Sequence, residues 1–238
     1  MQCGVTLMST FVLIHGSYQG GWIWQPVAAR LRAQGHTVFT PTMQGCAERR
    51  HALRPGIDTT TFVNEVADLL FFEDLRDVVL VGTSSGGMVV CGVAERMRHR
   101  VARIVLVDAL ALFNGERSRD ITKRPAPAGP MPLAAAPSRE EAAIGLFAEL
   151  DPATLAWVLD RYTPHPVGTS EIPVKLGDFW DMDWNATVIW CRQAVHPGEA
   201  HQRRAAARLN AAWFELDTGH YPMLTTPDAL TALLLGGA

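Results

Sequence analysis

Among the unbroken apolar runs of this chain, four read as strands: Phe11–Ile14, Val78–Val81, Ile104–Val107 and Val188–Cys191. A strand with one wet face alternates apolar and polar residues, whereas a continuous run belongs to a strand covered on both faces. Shorter strand patterns lie at 37–40 and 213–216. Between them come stretches with helical spacing. Residues 22–34 carry Ile23, Val27, Ala28 and Leu31 before a stop at Gly35, and 59–70 carry Phe62, Val66, Leu69 and Leu70. Further helical patterns cover 86–97, 199–209 and 227–235. The alternation predicts an α/β fold: a mostly parallel central sheet with helices on both faces. The length, 238 residues, suits one such domain carrying an insert.

The rhythm stops between residues 112 and 183. Nine of the 15 prolines gather from Pro125 to Pro173, among helical pieces at Ser138–Leu150 and Pro152–Tyr162. Ser138 and Glu141 have the spacing of a capping box. The stretch is too long for a connection and reads as a helical cap. The expected organisation is core 1–111, cap 112–183, core 184–238. Ordered structure is expected to begin at Thr10, which makes Met8 an alternative start.

Composition narrows the partners. The net charge is -3, and only Lys123 and Lys175 among 21 basic residues are lysine, so no footprint for nucleic acid stands out. No apolar run approaches the roughly 18 residues that span a bilayer, and residues 1–10 lack the regions of a signal peptide. Cys3, Cys46, Cys91 and Cys191 are far apart and match no metal spacing. The expectation is a cytoplasmic protein with no metal, no cofactor, no nucleic acid and no membrane partner; its partner is a small molecule, and homodimerisation stays open.

The chemistry centres on Val81-Gly82-Thr83-Ser84-Ser85-Gly86-Gly87-Met88. A Gly-x-Ser-x-Gly pattern between a buried strand and a helix is the context of a nucleophile elbow, with Ser84 on a sharp turn. The Ser85 N–H then lies at a helix start, where an oxyanion is favoured. The stretch lacks the lysine of a phosphate loop. The carboxyl ends of parallel strands open on one edge. His220 follows the last strand pattern and Asp108 follows Ile104–Val107, so both reach the edge that carries Ser84. His220 is the expected base and Asp108 the acid that orients it. Glu199 is the alternative acid and His15 an alternative base; Asp217, three residues before His220, points elsewhere.

These residues resemble the α/β-hydrolase superfamily, in its branch of small esterases and hydroxynitrile lyases that includes plant methyl-salicylate esterase. The matching features are Phe11–Gly16 with Gly20-Gly21-Trp22, Gly35-His36 with Pro41-Thr42, Gly45 with Glu48-Arg49, the elbow, Leu106–Ala109 and Gly219-His220. The resemblance implies a Ser-His-Asp triad and a helical cap. It makes the N–H of Ser17 the second oxyanion donor, beside that of Ser85, and makes His15 a structural support. Two departures stand out. Thr83 replaces the usual histidine before the nucleophile. Ala194-Val195-His196-Pro197 occupies the region where many relatives carry the acid, which favours Asp108. In the resembling lyases a lysine follows the histidine; here Tyr221 does, which argues against lyase chemistry.

Gly16, Trp22, Trp24, Phe147, Trp157, Phe179 and Trp180 are expected to line a rather apolar substrate pocket, with core packing the competing reading for each aromatic. The expected reaction is acyl transfer from a small ester, carbamate, amide or lactone. A cyclase, a cofactor-free oxygenase and a ligand-sensing receptor on the same fold are the rivals.

Overall fold

The computed structural model describes residues 8–123 and 129–236. Cys3, Pro125 and Pro127 lie outside the described residues. In chain order the elements are β1 (Thr10–Ile14), α1 (Gln25–Ala33), β2 (Thr37–Phe39), α2 (Thr59–Phe72), β3 (Val78–Ser84), α3 (Gly86–Arg96) and β4 (Val101–Ala109). Short pieces follow: α4 (Ser118–Thr122), β5 (Ala134–Ala135), α5 (Arg139–Glu141), α6 (Pro152–Leu159), β6 (His165–Pro166) and α7 (Gly168–Glu171). The regular alternation then returns with β7 (Ala186–Cys191), α8 (Glu199–Leu209), β8 (Ala212–Leu216), α9 (Pro222–Thr225) and α10 (Pro227–Leu234).

Six strands form one sheet in the order β2-β1-β3-β4-β7-β8, and every pairing is parallel. Successive side chains of a strand point to opposite faces, so each apolar run feeds two cores. Val12, Ile14, Leu80, Ile104, Leu106 and Val188 join one cluster with residues of α2, α3 and α8. Phe11, Leu13, Val81, Val105, Val107 and Ile189 join the other with residues of α1 and α10. The segment between β4 and β7 packs on both sides. Phe179 and Trp180 belong to the first cluster, Phe147 and Val158 to the second.

One expected helix is much shorter than its pattern. The capping box forms, with the Glu141 N–H donating to Ser138 Oγ and the Ser138 N–H to Glu141 Oε2. The α-helix nevertheless ends at Glu141, and Ala142–Leu146 forms a π turn. Gly145 sits inside that turn, and a glycine costs a helix interior about 1 kcal/mol. Phe147 is drawn out of line into the second cluster, fully buried.

Among the described residues, no helix is long and apolar enough to cross a membrane. No three His, Cys, Asp or Glu side chains among them are grouped as a metal site requires.

Candidate active site

β3 delivers Ser84 to the carboxyl edge of the sheet with φ at +51°. That left-handed conformation is strained for a residue with a side chain. Glycines allow it. A Cβ on Gly82 would lie 2.7 Å from the Gly86 carbonyl oxygen and from Val90 Cγ2. A Cβ on Gly86 would lie 2.7 Å from the carbonyl oxygens of Ile14 and His15. Strand, helix and the β1 loop therefore close on the turn only without side chains there. Gly16 is equally confined, since its Cβ would lie 2.7 Å from Ser84 Cβ. The Leu110 N–H donates to the Ser84 carbonyl at 2.8 Å, tying the turn to the end of β4.

On neighbouring β4, Asp108 is fully buried and its Oδ2 lies 2.5 Å from His220 Nδ1. Asp108 Oδ1 has no partner among the described residues. The His220 side chain is 21% exposed. Burial pushes its basicity down, but the hydrogen bond and charge of Asp108, with the charge of Glu149, outweigh this and hold it above the ordinary imidazole value. A ring that donates from Nδ1 keeps Nε2 as its basic nitrogen.

The β1 and β3 loops are joined by their hydroxyls, Ser17 Oγ donating to Ser85 Oγ at 2.9 Å. Among the described residues no hydrogen bond uses the N–H of Ser17 or of Ser85. His15 supports the same loop. Its Nδ1 donates to the Gly16 carbonyl at 2.8 Å, and its Nε2 accepts from the Met43 N–H at 3.0 Å. Burial lowers its pKa to about 4, so the ring is neutral. Both nitrogens are engaged, which leaves no basic atom for catalysis. Glu199, the alternative acid, starts α8 on the surface and pairs with Arg203 at 2.8 Å.

The expected aromatic lining needs correction. Trp24, Phe147 and Phe179 show no exposed surface, and Trp180 only 8%. A side chain with no accessible surface cannot wall an open pocket. Trp24 and Phe147 pack in the second cluster. Phe179 stacks on Trp184 at 5.3 Å, and Trp180 Nε1 donates to the Leu112 carbonyl. Trp22 and Trp157 are half-buried and meet edge to face at 5.2 Å. A small buried cavity of about 10 Å³, no more than one water in size, lies beside Ser85 and is lined by His15, Thr59, Phe62, Met88, His165 and Thr169. None of these was expected as a pocket residue. Phe62 and Met88 carry only the helical spacing of core residues, and His165 lies between two prolines with no local pattern that marks a pocket.

The matched family model, described as an alpha/beta hydrolase family, spans residues 11–233. The chain belongs to the α/β hydrolase family and is a carboxylesterase-like hydrolase. A carbendazim hydrolyzing esterase from Nocardioides sp. (strain SG-4G) is 34% identical over 188 residues, covering 71% of this chain and 74% of the relative. A pimeloyl-(acyl-carrier protein) methyl ester esterase from Aromatoleum aromaticum is 29% identical over 254 residues, covering 94% and 95%. Two solved structures share the fold. An extracellular hydrolase from Paenibacillus, described as homologous to tobacco salicylic acid binding protein 2, gives a TM-score of 0.81 at 21% identity, covering 97% of this chain and 99% of that one. A methylesterase from Arabidopsis gives 0.79 at 18% identity, covering 96% and 98%.

Proposed function

We propose that the chain is a serine hydrolase cleaving a small, rather apolar carboxylic ester or carbamate through an acyl-enzyme on Ser84. The observation that carries this reading is the Asp108–His220 pair, 2.5 Å apart at the strand edge that holds Ser84 in its strained turn. His220 Nε2 takes the Ser84 proton as Oγ attacks the carbonyl carbon. The N–H groups of Ser17 and Ser85 receive the developing oxyanion. Imidazolium then protonates the leaving alcohol, and water repeats the sequence to release the acid. Asp108 holds the tautomer and stabilises the imidazolium throughout.

The resemblance to a carbendazim hydrolyzing esterase supports a carbamate among the candidates. Residues 112–183 we read as the cap over this cleft. The buried free thiols of Cys46, Cys91 and Cys191 fit a reducing compartment. The test is turnover of p-nitrophenyl acyl esters and aryl carbamates by the wild type and by Ser84→Ala. The reading requires turnover in the first and its loss in the second; equal rates refute it.

A further inference from the structure

Glu149 comes from the irregular stretch between the π turn and α6, and its carboxylate reaches the loop that carries His220. Its Oε1 accepts the Tyr221 N–H at 2.7 Å. The His220 backbone N–H and ring also favour the charged form of this carboxylate. A Cβ on Gly219 would lie 1.1 Å from Glu149 Oε2, so the carboxylate fills the space a side chain there would take. Three successive residues, Gly219, His220 and Tyr221, thus wrap one carboxylate group. The residue as a whole is exposed, yet its carboxyl end is turned onto the backbone. The contact is reinforced two residues earlier, where the buried Phe147 ring lies 5.0 Å from the Tyr221 ring. Gly219 is therefore required here: any side chain would displace the Glu149 carboxylate.

We propose that Glu149 is a positioning residue for His220: its carboxylate over Gly219 fixes the histidine loop, and its negative charge shares with Asp108 the stabilisation of the imidazolium. The proposal rests on the reading of His220 as the catalytic base. Two carboxylates then serve one imidazole from different elements. Asp108, at the end of β4, binds the ring through Nδ1, while Glu149 binds the backbone beneath it. The ionisable groups around the pair are Asp108, Tyr221 and Cys191. Burial pushes both Tyr221 and Cys191 up, and the Glu149 charge adds to each. Both stay neutral, so Asp108 and Glu149 carry the charge that His220 faces.

Burial, resisted by the Tyr221 and His220 N–H groups and by the His220 charge, also raises the titration of Glu149 itself. The variant Glu149→Gln keeps an acceptor oxygen and removes the charge. Glu149→Ala removes both. In kcat/KM against pH with a p-nitrophenyl ester, the acid limb of E149Q moves to lower pH than in the wild type. A role in folding alone would leave that limb in place. E149A shows the same displacement and also loses kcat by about 10²-fold, the scale expected for a misplaced catalytic group, with little change in KM. An unshifted limb in E149Q overturns the proposal, whatever E149A does. Full kcat in a folded E149A overturns its positioning half. The pH profile of E149Q decides alone if E149A does not fold. A wild type inactive on every ester and carbamate, with Ser84 unreactive, would instead sink the parent reading.

Discussion

Replacing Asp108 by Asn probes the acid most sharply, because the surroundings of its two oxygens differ. Oδ2 meets His220 Nδ1 at 2.5 Å, whereas Oδ1 is buried with no partner among the described residues. An Asn can place either its oxygen or its NH2 at His220. With the oxygen there, the NH2 is a buried donor without an acceptor, at about 1–3 kcal/mol. With the NH2 there, it donates to Nδ1, and the oxygen occupies the site where Oδ1 stood unpartnered. The second arrangement is favoured, and it moves the ring proton to Nε2, so the base is lost. The charge that stabilised the imidazolium is lost as well, worth roughly 3 kcal/mol for a fully buried partner. Together these amount to about 4–6 kcal/mol, or roughly 10³–10⁴ in kcat/KM. The assay is steady-state hydrolysis of a p-nitrophenyl ester, with a thermal melt as control. The midpoint should not fall, because the substitution removes a buried charge with one empty oxygen. Less than a tenfold loss of kcat/KM in a folded variant would refute the assignment of Asp108.

Gly16→Ala introduces a methyl group 2.7 Å from Ser84 Cβ and 3.4 Å from the Thr83 carbonyl oxygen. The loop must retreat from the elbow, and kcat should fall by about 10²-fold while urea unfolding changes far less; unaltered kcat would contradict the close approach. Stability should also fall in acid. His15 and His201 are each held at a pKa of about 4, by burial first and, for His201, also by Arg204. A histidine depressed in the folded state contributes stability above its unfolded value near 6.5, and loses it as pH falls toward 4. The loss is roughly 3 kcal/mol for each ring at the end of that window. His201→Gln, which preserves an acceptor for the Ala111 N–H, should flatten the urea midpoint between pH 7 and 4.5; an unchanged slope would refute the buried neutral ring.

That Ser84, Asp108 and His220 share one sheet edge was legible because each lies within four residues of the end of an apolar run or strand pattern. Parallel strands bring such positions to one edge whatever the intervening chain does. The packing that makes the site work was not legible to the same degree. Glu149 meets Tyr221 across 72 positions in sequence, inside a stretch whose helical pattern breaks at Gly145, and a lone glutamate there carries no local signal. Aromatic residues in a proline-rich insert look alike whether they face a pocket or a core. Phe147, Phe179 and Trp180 went to the core because the insert feeds both hydrophobic clusters, and Trp24, just before α1, packs with Val27, Ala28 and Leu31 of that helix. Conversely, Phe62 and Met88 sit on apolar helix faces, and only the elbow's proximity to α2 and α3 brings them to the cavity. The structural place of His15 was foreseen from the resemblance, and its two engaged nitrogens now supply the physical reason.

The central claim is that Ser84 forms the covalent intermediate. Its most direct test is intact-mass spectrometry of the protein after reaction with a fluorophosphonate, followed by peptide mapping. The account predicts a single adduct on Ser84, absent from Ser84→Ala and much slower to form in His220→Ala. An adduct on another residue, or none from a preparation that turns over esters, would contradict it.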